Sequence, residues 1–244
     1  MKYFFASLIA SVFLLSFAHA EENRHLHMAC GAFPPYKIDN QEKPGIDIEL
    51  MQAAWSVTKW KADYEFYPWK RAVALSKSGE ADGLCGCSYR VEREEDYRFS
   101  DVMGLHSQGV FVKNKAFNEP IRSIRDLQGK TVATVRGYAV QKELDALGIN
   151  NTGVLDDKQL VSMLLNDRVD AIYAYRDVVL YALDKQDKVN QVVYHEISSQ
   201  PYYVCISRAV PDSRQIVDDL NQGMRVIRQN GEYQRIWRSY LATN

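Results

Sequence analysis

The chain has 244 residues, with 30 lysines and arginines against 31 aspartates and glutamates, a formal net charge of −1. Nucleic-acid-binding domains normally show a basic surplus, so this balance argues against a nucleic-acid partner. The length is large for a single core and suits two lobes of about 100 residues each.

The first twenty residues predict a cleaved signal peptide. Lys2 precedes an apolar run over 3–17, and Ala18-His19-Ala20 fits the small-x-small rule for cleavage. The run is too short for a comfortable membrane span, so an uncleaved anchor is the weaker alternative. We expect cleavage after Ala20 and a mature chain in the periplasm.

Short apolar runs then alternate with amphipathic segments. We predict strands over 26–29, 62–66 and 83–87, and helices over 47–57 and 68–79. Pro68 suits the first turn of a helix and Gly79 suits its end. Between the first strand and the first helix lies the turn Phe33-Pro34-Pro35-Tyr36.

A second set of elements follows. We predict strands over 109–112, 131–135, 169–174 and 202–206, and helices over 140–147, 157–165, 177–183, 213–228 and 231–241. Asp156 is placed to cap the helix that begins at Asp157. This alternation indicates an α/β fold with largely parallel sheets.

The order of elements predicts two similar α/β lobes joined by two strands. Lobe 1 would comprise residues 21–110 and 202–244, and lobe 2 residues 111–201. The chain would cross between lobes near 109–113 and again near 200–203. A cleft between lobes joined in this way is a natural site for a ligand that closes a hinge.

Four cysteines, Cys30, Cys85, Cys87 and Cys205, would lie in an oxidising compartment. Sequence does not choose among the three full pairings that four cysteines allow. We expect one disulfide or small buried thiols, with Cys30 near Cys85 or Cys87 if their strands pair.

The sequence specifies no reaction. It contains no Gly-x-Ser-x-Gly elbow, no P-loop and no dinucleotide fingerprint. His25-x-His27 lies near the new N-terminus and is expected to be a surface pair, and Cys85-x-Cys87 has too few ligands for structural zinc. We therefore expect neither a cofactor nor a metal, and no catalytic residues.

Binding chemistry is better represented. Phe33, Tyr36, Trp69, Tyr89 and Tyr138 follow predicted strands or begin helices, which are the sheet edges where ligands collect in α/β proteins. Aromatic walls with a few polar groups are common in small-molecule sites. The alternative, which weighs most for Tyr36 and Tyr89, is plain core or hinge packing.

Arg93 lies just after a strand, near the start of a short helix. A guanidinium there can bind a carboxylate through two parallel hydrogen bonds. The helix start at Gly137-Tyr138-Ala139 could offer backbone N–H groups as an anion cradle from the other lobe. A solvated surface arginine remains the common alternative.

Together, these features resemble the periplasmic solute-binding proteins of family 3, the polar amino acid type served by ABC transporters. The resemblance runs from about Leu26 to the end of the chain. Its motifs are Phe33-Pro34-Pro35-Tyr36, Gly45-Ile46-Asp47, Ser88 through Arg93, Phe99-Ser100-Asp101, Asp126 through Lys130, Arg168-Val169-Asp170-Ala171 and Gly231 through Tyr240.

The resemblance implies a two-lobed type II periplasmic-binding-protein fold with its ligand between the lobes. It implies that Arg93 grips a ligand α-carboxylate and that Ser88 binds the α-amino group. It makes Trp69 an aromatic lid, and it places Tyr138 and Ala139 at the second-lobe helix start that meets the carboxylate. Phe33, Tyr36 and Tyr175 complete the expected site.

Two positions depart from the family pattern. Tyr175 stands where the family usually has an aspartate that holds the α-ammonium, and Cys30 stands where some members have a ligand-contacting acid. Arg90, Arg136 and Arg176 are expected near the cleft ends. These features predict a site that favours anions and a carboxylate ligand that is aromatic or not an amino acid.

The expected function is periplasmic binding of a small carboxylate-bearing solute by a monomer, whose closed form is read by an ABC permease or a membrane sensor. The alternative is a dehydratase-like enzyme on the same fold. An enzyme of that kind needs a carboxylate or histidine as general acid in the cleft, and the sequence offers no convincing candidate.

Overall fold

The computed structural model describes residues 24–113 and 121–241, which form a mixed α/β fold. The predicted signal peptide and its cleavage site after Ala20 lie outside the described residues. Within the two described ranges, no helix combines the length and the apolar character needed to cross a bilayer.

The strands of the described residues belong to one sheet. They are β1 (Arg24–Cys30), β2 (Trp60–Phe66), β3 (Gly83–Ser88), β4 (Tyr97–Phe99), β5 (Gly104–Lys113), β6 (Val132–Val135), β7 (Asn151–Val154), β8 (Ala171–Tyr175) and β9 (Val192–Ser207). Their order is β2-β1-β3-β9-β5-β8-β6-β7, and β4 pairs with β9.

The helices divide between the two ends of this sheet. They are α1 (Ile46–Trp55), α2 (Trp69–Ser78), α3 (Ala139–Ala146), α4 (Asp157–Leu165), α5 (Arg176–Asp184), α6 (Ser213–Gln229) and α7 (Glu232–Leu241). Helices α6 and α7 pack on α1, and α2 packs on β1, whereas α3, α4 and α5 pack among β5 to β8. A short 3-10 helix, Val91–Arg93, follows β3.

The sheet is mixed, which corrects the prediction of largely parallel sheets. Strand β1 pairs in parallel with β2 and β3, and β6 pairs in parallel with β7 and β8. The long strands β5 and β9 run antiparallel between these groups, from the pair Gly104–Tyr202 to the pair Lys113–Val192. Two antiparallel strands therefore connect the two parallel groups.

Most predicted elements form within a few residues of their expected positions. Strand β5 begins earlier than predicted, at Gly104 rather than at residue 109, and three further strands differ. The sequence pattern does not predict β4 or β7, and β9 begins at Val192 rather than at residue 202. The first part of β9 mixes half-buried with exposed residues and includes the polar run Ser198-Ser199-Gln200. Its pairing with β5 is remote in sequence, so a local apolar pattern does not reveal it.

All four cysteines form disulfides, Cys30–Cys85 and Cys87–Cys205. The prediction of one disulfide or small buried thiols is therefore wrong in number. Parallel pairing of β1 with β3 brings Cys30 beside Cys85, and antiparallel pairing of β3 with β9 brings Cys87 beside Cys205. The two bonds fix both neighbours of Gly86 to adjacent strands.

Candidate functional site

A cavity with about 460 Å³ of empty space, part of it open to solvent, lies where β3 and β8 end and α2 and α3 begin. All the predicted aromatic and polar site residues except Tyr36 and Tyr89 line it. The lining residues are Gly31, Phe33, Lys37, Trp69, Gly86, Cys87, Ser88, Arg93, His106, Tyr138, Ala139, Tyr175 and Tyr202. The described residues thus bring together side chains that are far apart in the chain.

Arg93 ends the short 3-10 helix and is only 9% exposed. Its Nη1 donates a hydrogen bond of 2.7 Å to the carbonyl oxygen of Ser88, and its Cζ lies 5.7 Å from the ring centroid of Trp69. No carboxylate in the described ranges comes within 4.0 Å of its guanidinium nitrogens. Burial lowers the pKa of Arg93, but an arginine side chain stays charged in proteins.

Ser88 and Tyr175 connect two strand ends across the cavity. Ser88 ends β3 and Tyr175 ends β8, and their hydroxyl oxygens lie 3.3 Å apart. Burial raises the pKa of Tyr175, so its phenol is neutral at physiological pH. This part of the cavity is therefore polar and carries no negative charge.

Trp69 begins α2 and reaches the opposite wall. Its Nε1 donates a hydrogen bond of 3.1 Å to the carbonyl oxygen of Gly137, and its ring meets Tyr138 edge-on at 6.3 Å between centroids. Trp69 is thus an aromatic wall of the cavity that also ties α2 to the segment before α3.

The start of α3 offers less of an anion cradle than the sequence predicts. Gly137 N donates to Gln141 Oε1 at 2.6 Å, and Tyr138 N donates to Val135 O at 3.2 Å. Two of the three predicted N–H donors therefore already have acceptors within the protein. Ala139 also lines the cavity, so of the three residues its backbone N–H is the one still expected to bind an anion.

Lys37 and Asp47 form a buried pair that the sequence analysis missed. Lys37 is 5% exposed and Asp47 is fully buried, and Lys37 Nζ lies 3.6 Å from Asp47 Oδ2. Tyr202 donates a hydrogen bond of 2.6 Å to Asp47 Oδ1. Burial lowers the pKa of Lys37 and raises the pKa of Asp47 to about 6. Lys37 faces the cavity with Asp47 behind it.

His106, in β5, is the second lining residue without a prediction. Its ring stacks on Phe33 at 5.1 Å between centroids and lies 3.7 Å from the ring of Tyr202. Burial, with Lys37 nearby, lowers the pKa of His106 to about 3, so the imidazole is neutral. Its Nε2 is buried and has no hydrogen-bond partner among the described residues.

A local signal for Lys37 and His106 was available but ambiguous. Lys37 follows the Pro34-Pro35-Tyr36 turn directly, and His106 precedes the strand predicted over 109–112. A lysine in a turn and a lone histidine beside a strand are most often surface groups. Only the folded arrangement shows that both are buried beside Phe33.

Tyr36 and Tyr89 lie away from the cavity lining. The Tyr36 hydroxyl donates a hydrogen bond of 2.5 Å to Asp177 Oδ2, and its ring packs 4.5 Å from that of His106. Tyr36 is therefore behind the lining and supports His106. Tyr89 is 42% exposed and packs on Phe99.

The three further arginines expected near the cleft ends are engaged elsewhere. Arg90 forms an ion pair with Glu143, and Arg176 pairs with Asp177 and Glu196. Arg136 donates a hydrogen bond of 3.0 Å to Gly153 O. None of them is among the lining residues, so these arginines do not border the cavity directly, and their contribution to anion binding stays a prediction.

The cationic groups that line the cavity are Arg93 and Lys37, and the lining defined above includes no aspartate or glutamate. Across 24–113 and 121–241, no group of three or more histidine, cysteine or acidic side chains is arranged to hold a metal ion. Chemically, the cavity can offer cationic and neutral hydrogen-bond donors between aromatic walls.

The mixed α/β fold matches solved structures of two-lobed type II periplasmic-binding-protein folds. One is an ABC uptake transporter substrate-binding protein from Streptococcus pneumoniae with bound histidine (TM-score 0.81, 18% identity, 91% of this chain and 94% of that one). Another is a histidine kinase sensor domain similar to periplasmic binding proteins (TM-score 0.80, 20% identity, 89% and 97%).

The sequence profile of the bacterial extracellular solute-binding proteins, family 3, matches residues 27–243. The chain belongs to this family, as its motifs predict. A curated relative is the L-cystine-binding protein TcyA of Bacillus subtilis (strain 168), which is 24% identical over 215 residues. That match covers 86% of this chain and 78% of the relative.

Proposed function

We propose that this protein binds a small carboxylate-bearing solute, an amino acid or a related organic anion, in the cavity described above. The observation that carries the proposal is Arg93, a buried guanidinium at the cavity with no ion-pair partner in the described part of the chain. A buried charge without a counter-charge is costly. A ligand carboxylate would remove this cost through two parallel hydrogen bonds.

The remaining predicted residues have complementary roles in this proposal. Ser88 and Tyr175 offer hydroxyls beside Arg93, and Ala139 offers a backbone N–H from the facing helix. Phe33, Trp69 and Tyr138 enclose the apolar part of the solute. Tyr36 acts indirectly, by holding the rings behind the lining.

The charges of the lining favour an organic anion over an ordinary amino acid. The names of the relatives given above refer to cystine and histidine, and an α-ammonium needs a negative partner when it leaves water. Tyr175 is neutral where the resemblance implies an aspartate, and the lining as described contains no free carboxylate. A carboxylate solute without an α-ammonium would satisfy Arg93 and leave no ligand charge unpaired.

We also propose that the two lobes comprise residues 21–110 with 202–244, and 111–201, and that the solute holds them together. Several contacts already bridge these parts: Ser88 with Tyr175, Lys142 Nζ with Glu92 Oε1 at 2.6 Å, and Arg90 with Glu143. A ligand that contacts both parts would favour the closed arrangement over an open one.

The proposed setting is the periplasm, after removal of residues 1–20, where the closed monomer is presented to an ABC permease or to a membrane sensor. Both partners have support in the names of the structures compared above, an ABC uptake protein and a kinase sensor domain. We propose a binding role without catalysis, because the names of the relatives compared above describe binding proteins and a sensor domain, and a neutral buried His106 is a poor general acid.

Native mass spectrometry of the purified protein tests the proposal directly, because a retained solute identifies itself by mass. A thermal-stability screen of carboxylates should then raise the melting temperature for at least one compound. If no carboxylate raises it and none is retained, the proposal is wrong. Turnover of a bound carboxylate would instead support the enzyme alternative.

A further inference from the structure

We infer that Lys37 and His106 form a second recognition point, which receives a neutral oxygen acceptor at the end of the solute remote from its carboxylate. This inference rests on the proposed binding function and deepens it. The chemical class of the solute would be a short carboxylate with a ketone, hydroxyl or amide oxygen at its far end.

The first observation is that Lys37 has unused donors at the cavity. An ammonium group has three N–H donors, yet its nearest acidic neighbour, Asp47 Oδ2, is 3.6 Å away, beyond ordinary hydrogen-bond length. Lys37 Nζ also lies 4.7 Å from the ring centroid of Phe33. A buried ammonium held mainly by an ion pair and an aromatic face gains from a further acceptor.

The second observation is that Gly86 leaves the ammonium uncovered. A Cβ at residue 86 would lie 3.1 Å from Lys37 Nζ, closer than ordinary van der Waals contact. Any residue larger than glycine at position 86 would therefore crowd the Lys37 ammonium group. Because Gly86 and Lys37 both line the cavity, the absent side chain keeps the space beside Nζ available to a solute.

The third observation is the unpartnered His106 Nε2. His106 is only 7% exposed, and the described residues supply no hydrogen-bond partner for this atom. The aromatic rings of Phe33 and Tyr202 hold the imidazole in place. Lys37 Nζ lies 4.7 Å from the ring centroid of Phe33, and the imidazole of His106 stacks on the same ring at 5.1 Å between centroids, so the two polar groups lie at the same end of the cavity.

The charges indicate that the acceptor is neutral. Asp47 already balances Lys37, and Tyr202 donates to the same carboxylate. A second anion at this end would approach Asp47 as well as Lys37, and like charges at short range in a buried site are unfavourable. A carbonyl or hydroxyl oxygen accepts from the ammonium without that repulsion.

The spacing along β3 guides the length of the probe compounds. Gly86 lies beside Lys37, and Ser88 lies beside Arg93. Two residues of strand separate these positions by roughly 7 Å. A short aliphatic chain can span that distance, with its carboxylate at Arg93 and its far oxygen at Lys37.

Isosteric pairs of probe compounds test the inference in the wild-type protein. Isothermal titration calorimetry would compare 4-oxopentanoate with 4-methylpentanoate, and 5-oxohexanoate with 5-methylhexanoate, in which a methyl group replaces the far oxygen. We expect at least one oxo acid to bind about tenfold or more tightly than its methyl counterpart, because the methyl group leaves buried donors unpaired.

The variant Lys37→Met should reduce that preference to within about threefold, because the principal donor is gone. It leaves Asp47 without its counter-charge, so the double variant Lys37→Met/Asp47→Asn provides the same comparison with no buried charge. Circular dichroism would establish that each variant is folded. If neither folds, the absence of a preference between paired probes in the wild type still overturns the inference.

The outcomes are distinguishable. Equal binding of both members of each pair by the wild type would overturn this inference and leave the carboxylate proposal intact. Tighter binding of glutarate than of 5-oxohexanoate would show that the far group is charged, and would also overturn it. If no carboxylate binds, the proposed function fails and this inference fails with it.

Discussion

The hydroxyl oxygens of Ser88 and Tyr175 lie 3.3 Å apart and join the end of β3 to the end of β8. The two residues belong to strands on opposite sides of the central pair β5 and β9. Both hydroxyls are neutral, and both line the cavity next to Arg93. The contact therefore bridges the proposed lobes without supplying the negative charge that an α-ammonium needs.

Changing Tyr175 should change the class of solute that binds. L-Glutamine and glutaramate differ only by the α-ammonium, so their affinity ratio reports on that group. We expect the wild type to favour glutaramate and Tyr175→Asp to move the ratio towards glutamine by about tenfold or more, since a new carboxylate would pair with the ammonium. Competitive calorimetry gives the ratio.

Tyr175→Phe is the matched control, because it removes the hydroxyl without adding charge. Its ratio of glutaramate to glutamine affinity should stay within about threefold of the wild-type value, since one neutral hydrogen bond contributes about 1 kcal/mol. A wild-type preference for glutamine would contradict the reasoning from charge.

Replacing Arg93 should have the largest effect on carboxylate binding. In Arg93→Gln the ligand carboxylate would lose its buried counter-charge, and we expect a loss of about 2–5 kcal/mol in binding free energy. Arg98→Gln is the control, because Arg98 is close in sequence but bonds to Ser213 and is absent from the lining. Calorimetry with 5-oxohexanoate measures both, and equal affinities would refute the role of Arg93.

Sequence reasoning located the candidate site well where the signal was local. Arg93, Ser88 and Trp69 follow strands or begin helices, and the edge of an α/β sheet gathers such positions. Family motifs strengthened these predictions. Trp69 and Ser88 line the same cavity as Tyr138 and Tyr175. Their contact with a ligand stays a prediction.

Sequence reasoning failed where pairing between distant segments decides the environment. Lys37 and Asp47 are only ten residues apart in the sequence, but they are buried together with Tyr202 of β9, which donates a hydrogen bond to Asp47. Sequence position alone predicts that Arg90 and Arg176 lie near the cleft ends, but it does not predict that each pairs with a glutamate that is distant in the sequence. A count of charges near strand ends cannot anticipate such partners.

The two disulfides should stabilise the fold by similar amounts. Cys30 and Cys85 are 55 positions apart, and Cys87 and Cys205 are 118 apart. Replacing either pair by alanine should lower the free energy of unfolding by about 2–4 kcal/mol, because the unfolded chain gains freedom. Urea unfolding of the paired variants measures this loss.

A thiol assay provides the check on those variants. The wild-type protein, denatured without reductant, should show no free thiols in the assay, because all four cysteines are in disulfide bonds. Each alanine pair variant should also show none. Free thiols in the unreduced wild type would contradict the assigned pairing and would make the unfolding comparison meaningless.

Asp157 should make the stability of the protein depend on pH. Its side chain is 7% exposed, and Tyr138 donates a hydrogen bond of 3.0 Å to its Oδ2. Burial raises the pKa of Asp157 to about 7. The folded state therefore keeps a proton that the unfolded state has released, so this group's contribution is complete below about pH 4 and is lost as the pH rises through 7.

Asp157→Asn isolates this contribution, because asparagine is neutral at every pH and its side-chain oxygen can still accept from Tyr138. The difference in free energy of unfolding between the variant and the wild type should grow by about 2–3 kcal/mol in favour of the variant as the pH rises from 5 to 8. Asp47 and His106 titrate equally in both proteins, so the difference between urea midpoints cancels them. A difference that does not grow with pH would show that Asp157 is ionised in the folded protein, and Tyr138 would then border a buried negative charge beside the cavity.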